Sequence, residues 1–181
     1  MAKSNKPKPD KKGNPLKMLN EAWKDLSKTQ KEKLIAIEEE DFSFLIGEQI
    51  FRQGVINKRH HIEAVEELKK FLAIKILKEP HPLGMFSPIV AAAWHAFILD
   101  TIKYESFCKK HYGKTIHHIP GGGAHIDNSI WMSMYREWFG LFPPVWKLDI
   151  GGTEIPGYEH SMNVEGNLDS GDLDSDDGAH P

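Results

Sequence analysis

The chain has 181 residues, 40% of them apolar and 27% charged, with a formal net charge of −3 and ten histidines beside a single cysteine. That length suits one domain with tails, or at most two small units. No run of 18 apolar residues is present, which excludes a transmembrane helix; one cysteine excludes an internal disulfide and suits a reducing, cytoplasmic setting.

Residues 1–17 carry six lysines against Asp10, with no apolar stretch of the kind a secretory signal needs. Residues 1–14 are expected to be a disordered basic arm. The lysines are only a weak signal for nucleic acid, which is disfavoured as a partner. Asn14-Pro15 has the form of a cap followed by a first-turn proline, and Leu16, Leu19, Trp23 and Leu26 recur at helical spacing. Ser27 and Gln30 form a capping-box pattern that opens a second helix through Leu34, Ile35 and Ile37. Near Asp41 the chain bends or continues. Phe42, Leu45, Ile46 and Ile50 keep the period of a core-facing helix, and Gly54 is a stop.

Asn57 is placed to cap a helix over 58–77, with Ile62, Val65, Leu68, Leu72 and Ile76 as one apolar stripe. Glu63, Glu66 and Glu67 fall early and Lys75 and Lys78 late, as the helix dipole prefers. His60 and His61 read as an exposed, titrating pair, because neighbours on a helix point about 100° apart and do not chelate together. EPHPLG breaks the helix. Ser87-Pro88 starts the next, and a GGG loop at 121–123 follows the central segment. Asp127 or Asn128 can cap a last helix through Trp131, Met134, Tyr135 and Trp138, which Gly140 ends. FPPVW then forms a rigid turn with an aromatic anchor. Residues 165–181 hold Glu165 and five aspartates with no lysine or arginine. They lack the ligand order of an EF-hand, and 148–181 is expected to be an acidic disordered tail. No strand-like alternation persists. The fold class is all-α: a compact irregular bundle of about five to six helices over residues 15–147, with disordered tails.

Residues 91–120 concentrate the chemistry: Trp94, His95, Tyr104, Cys108, His111, His117 and His118. If Pro88 to Tyr112 were one straight helix, His95 and Tyr112 would lie about 25 Å apart along its axis. The return from Gly113 to His117 spans at most about 14 Å. Asp100-Thr101 offers a break, since both are N-cap residue types. A corner there lets His95 approach His117 or His118. In the extended segment after Gly113 one of those two histidines faces inward and the other outward. Trp94, Phe97, Tyr104 and Phe107 read as core, with a histidine available to the Tyr104 hydroxyl. Cys108 is either a small buried hydrophobe or a thiolate ligand. His95 is either a hydrogen-bonded core residue or a metal ligand. Imidazole and thiolate together suit Zn²⁺ or Fe²⁺ better than Mg²⁺ or Ca²⁺. His125, Asp127 or Glu105 could complete such a site. There is no carboxylate pair, phosphate loop or nucleophile elbow to argue for an enzyme.

Ser87, Pro88, Trp94, His95, Ile98, Leu99, Tyr104, Cys108, Gly113, His117 and His118 together resemble the core motif of the glycine-rich domain-containing protein-like family. YREWFGLFPPVW is similar to the tail of its small bacterial members, and the resemblance spans residues 60–147. Where that family usually carries an aspartate three residues before the tryptophan, this chain has Ala91. The resemblance implies a helical fold, a shared His/Cys cluster and a module that works with a protein partner. Three functions compete: a transition-metal module using His95, His117, His118 and Cys108; an interaction module in which the same cluster, with Trp94 and Tyr104, is a structural hydrogen-bond network; and, least favoured, a metal-dependent or cysteine enzyme.

Overall fold

A computed structural model describes residues 15–77, 84–118 and 128–157. The expected basic arm at 1–14, most of the breaker after α4, the GGG loop with His125 and Asp127, and the tail after residue 157 lie outside them. The protein is all-α. The helices are α1 (Asn20–Asp25), α2 (Lys28–Glu38), α3 (Glu48–Phe51), α4 (Lys58–Leu77), α5 (Pro88–Leu99), α6 (Thr101–His111) and α7 (Ser129–Phe139), with 3-10 turns at Pro15–Lys17, Ser43–Leu45 and Pro144–Lys147. Among the described residues β structure is limited to one isolated antiparallel bridge, Leu148 to Glu154. None of their helices is long and apolar enough to cross a membrane.

Helix α4 is the axis of the bundle. It buries Val65, Leu68, Phe71, Leu72, Ile74 and Ile76, and α2, α5 and α7 pack against it. Each such side chain contributes about 1.5–3 kcal/mol by leaving water. Ile62 does not belong to the stripe: it is 49% exposed, and the buried face instead takes in His61, Ala64 and Glu67. Helix α5 is nearly all apolar and buried, as its place between neighbours requires.

Local capping signals hold where they are self-contained. Ser27 Oγ accepts the Gln30 backbone N–H at 3.2 Å while Gln30 Oε1 accepts the Ser27 N–H at 3.0 Å, completing the capping box. Asn57 Oδ1 accepts the Arg59 N–H at 2.9 Å at the start of α4. Other expectations are corrected by tertiary contacts. The first helix does not run from Pro15: Leu16 and Lys17 adopt φ of 57° and 56°, and the Leu19 N–H donates to the Trp138 carbonyl at 2.7 Å. That long-range bond spends a donor on α7 and delays α1 to Asn20. The segment around Phe42 to Ile50 is not one helix either. Gly47, at φ 102°, separates the 3-10 turn from α3, and Ile46 is exposed while Phe42, Leu45 and Ile50 are buried.

His61 is not an exposed residue. It is 2% exposed, its Nδ1 accepts the Gly47 N–H at 3.2 Å, and its Nε2 donates to the Val55 carbonyl at 2.5 Å. It thereby ties the start of α4 to the loop on either side of α3. The fold also continues past the expected boundary at 147. The Asp149 N–H donates to the Thr153 carbonyl and the Ile155 N–H to the Lys147 carbonyl, closing a small loop over the start of α4. Glycine is required at both points of closest approach. A Cβ on Gly54 would sit 2.8 Å from Ile150 Cγ2, and one on Gly152 would sit 2.9 Å from His60 Cε1.

Candidate functional site: an imidazole pair at a helical corner

Ser87 opens α5. Its hydroxyl accepts the Val90 N–H at 3.4 Å, and Pro88 follows with no donor to waste in the first turn. Helix α5 ends at Leu99. Asp100, at φ −85° and ψ 73°, leaves helical geometry, and its Oδ1 accepts the Lys103 N–H at 3.3 Å to start α6. The corner expected at position 100 is therefore present. Gly113, at φ 82°, ends α6 with its N–H donating to the Cys108 carbonyl at 2.9 Å, and the chain turns back toward the corner.

The returning segment alternates. Ile116 is buried, His117 is exposed, and His118 is half-buried. Helix α5 presents Trp94 and His95 to it. The His95 and His118 rings meet edge to face with centroids 4.6 Å apart, and the Trp94 indole meets His118 edge to face at 4.7 Å. Neither imidazole makes a hydrogen bond to any described residue. Burial pushes the His118 imidazole below its ordinary value, and repulsion from His95 pushes it the same way.

A second constellation lies beneath this pair. The Trp94 Nε1–H donates to the Tyr104 hydroxyl at 3.1 Å, and that hydroxyl donates to the Ile116 carbonyl at 2.5 Å. The partner of Tyr104 is thus a backbone carbonyl and an indole, not a histidine. Cys108 is 1% exposed. Burial raises its thiol above the ordinary value, and this outweighs the Ile116 backbone N–H and the Tyr104 hydroxyl, which act the other way. Such a thiol is a poor nucleophile and a poor ligand. Tyr104 is likewise raised by burial.

Of the expected ligands the structure brings together His95 and His118. Cys108 joins the Trp94–Tyr104–Ile116 network, His117 and Glu105 are exposed, and His125 and Asp127 lie outside the described residues. Among the described residues no group of three or more His, Cys, Asp or Glu side chains is disposed to hold a metal ion.

Two further polar groups, one buried and one half-buried, escape the sequence reading. Glu67 is 3% exposed on the inner face of α4. Its Oε2 accepts from the Tyr135 hydroxyl and from Trp146 Nε1 at 2.6 Å, and its Oε1 accepts from Lys70 Nζ at 2.6 Å. This cluster ties α4 to α7 and to the turn at Pro144–Lys147. Burial and the Glu67 carboxylate keep Tyr135 protonated far into the alkaline range. Its place early in α4 groups Glu67, by sequence alone, with the dipole-favouring acids. The available signal is its spacing of four and seven from the apolar Phe71 and Ile74, which puts it on the core face. Glu40 is the second. Burial alone would raise its carboxyl, but Lys110 Nζ and His111 Nε2, each 2.6 Å from Oε1, outweigh that and hold it below the ordinary value. It locks the end of α2 onto α6.

A protein-family model described as UCP032817-like matches residues 31–139. The chain belongs to this family. No curated protein and no solved structure matches the chain. The UCP032817-like span runs from within α2 through α7 and so contains His95, His118 and the whole Trp94–Tyr104–Cys108 network. Trp146, the outermost donor to Glu67, lies beyond it.

Proposed function

We propose that this chain is a helical accessory module that binds a transition-metal ion, Zn²⁺ or Fe²⁺, through His95 and His118 and acts with a protein partner. The observation that carries the reading is the contact of two imidazoles, brought from opposite sides of a helical corner, with no hydrogen bond from their nitrogens to any described residue. A metal–nitrogen distance of about 2.0–2.1 Å puts ring centroids roughly 5 Å apart at a tetrahedral angle. The observed centroid separation of 4.6 Å is close to that. Lowered basicity at His118 also favours the neutral form that a metal needs. The resemblance to the glycine-rich domain-containing protein-like family supports a module working with partners, and the buried free thiol accords with a reducing cytoplasm.

The test is elemental analysis of untagged protein purified from metal-supplemented medium, with zinc titration by a competing chromophoric chelator. Metal above background in the wild type, lost in His95→Ala and His118→Ala but kept in His117→Ala, is expected. Background metal in the wild type, or equal metal in all variants, refutes the reading.

A second reading has its own support. The Trp94–Tyr104–Ile116 chain with Cys108 fits a buried network whose role is to fix helix packing in a partner-binding module. It expects His95→Ala to lose stability rather than metal.

A further inference from the structure

His61 stands apart from the imidazole pair. It is 2% exposed, and both ring nitrogens bond to backbone: Nδ1 accepts the Gly47 N–H at 3.2 Å and Nε2 donates to the Val55 carbonyl at 2.5 Å. One ring thus fastens both ends of the segment 47–55 to the start of α4. The segment's own structure is slight. Its helix α3 has four residues, too few to hold in water unaided, and Gly47 enters it at φ 102°. Ile50 and Val55 are fully buried, while Phe51 is 56% exposed and Ile56, just beyond the segment, is 65% exposed.

The two bonds demand a neutral ring. Nδ1 accepts only while it carries no proton; an imidazolium has two donors and would turn one of them on the Gly47 N–H. A cation buried there also lacks solvent to stabilise it. The charged groups on the surrounding elements are engaged elsewhere. Asp41 accepts the Ser43 N–H, Glu48 pairs with Arg52 on α3, Glu63 pairs with Arg59 on α4, and Asp149 accepts the Thr153 N–H. Lys58 is exposed, and His60 packs on Gly152. None of these groups bonds the His61 ring. We propose that His61 is a proton-released latch: in acid its ring lets go of Gly47 and Val55, and the segment 47–55 opens while the rest of the bundle stays folded. Opening uncovers Ile50 and Val55 beside Phe51 and Ile56, so an apolar surface forms on acidification. The device is independent of any metal at His95 and His118.

The test is hydrogen exchange by mass spectrometry on the untagged full-length chain, at about pH 7.5 and about pH 5.5, corrected for the intrinsic pH dependence of exchange. The open segment binds the proton that the closed one excludes, and a free imidazole titrates near 6.5, so opening rises about tenfold across that interval. Protection of residues 46–57 is expected to fall by that factor while α4, α5 and α7 keep theirs. His118→Phe retains this loss. His61→Gln, whose amide offers a donor and an acceptor and takes no proton, removes it. Unchanged protection in 46–57, a loss shared equally by α4 and α5, or the same loss in a folded His61→Gln overturns the latch. The wild type gives a second test that needs no variant. Imidazole nitrogen NMR at about pH 7.5 is expected to show His61 neutral with its proton on Nε2. A proton on Nδ1, or a doubly protonated His61 in a chain whose 46–57 amides remain protected, overturns the latch as well.

Discussion

Removing the Glu67 carboxylate is a severe change to the core of this protein. The side chain is 4% exposed and its ion-pair partner Lys70 is 13% exposed, so little solvent screens the pair. Glu67→Ala leaves three donors stranded: the Tyr135 hydroxyl, the Trp146 indole N–H and the Lys70 ammonium. An orphaned buried donor costs about 1–3 kcal/mol, and breaking a buried ion pair by deleting one partner about 3–5 kcal/mol. These overlap, because Lys70 can swing toward solvent, so the expected loss is about 3–5 kcal/mol in all. For a domain of this size that lowers Tm by roughly 6–20 °C. Glu66→Ala is the control: its ion pair with Lys17 lies on the surface, at 49% and 76% exposure, and its loss costs at most about 1 kcal/mol. Urea unfolding followed by circular dichroism and by tryptophan emission measures both variants. A Glu67→Ala midpoint indistinguishable from that of Glu66→Ala refutes the reasoning, since it means the carboxylate holds nothing together.

Three further outcomes are expected. Burial, then His95, lowers the His118 basicity, so the unfolded chain binds its proton first as pH falls. The resulting stability is full above about pH 6.5 and is lost as pH drops through the lower folded value; the urea midpoint therefore declines on acidification, less steeply in His118→Phe. Tyr104→Phe strands the Trp94 N–H and the Ile116 carbonyl and costs about 1–3 kcal/mol by the same unfolding assay. Cys108, buried and held in its thiol form, reacts with a chromogenic disulfide reagent only as the protein unfolds; rapid stoichiometric labelling of the native chain at neutral pH would contradict its placement.

The parts of this molecule that could be read from sequence are those whose cause is local. The Ser27–Gln30 box, the Ser87-Pro88 start, the span of α4 and the break at Asp100 each depend on residues within a turn or two. The approach of His95 to His118 was legible for a related reason: the chain between them is short, and only a corner lets it close. What failed depended on remote backbone. The start of α1 is set by a carbonyl on α7, and His61 is buried by a carbonyl at Val55 and an N–H at Gly47. Cys108 was open between ligand and core because the deciding group is Ile116, a residue with no polar side chain to advertise it. Glu67 was misplaced because an acid early in a helix has a sufficient local explanation, and its true partners are 68 and 79 positions away.

The two buried polar clusters differ in how they can be passed on. The carboxylate cluster is drawn from three widely separated stretches of chain and exists only when the whole fold does. The imidazole pair and the network beneath it come from one unbroken stretch, 94–118, pinned by a cap at each helix start. A duplication or gene fusion that carries that stretch together with a surface to pack against carries every group of the site at once, so it can travel between architectures as a cassette, while the rest of the bundle is free to drift around it.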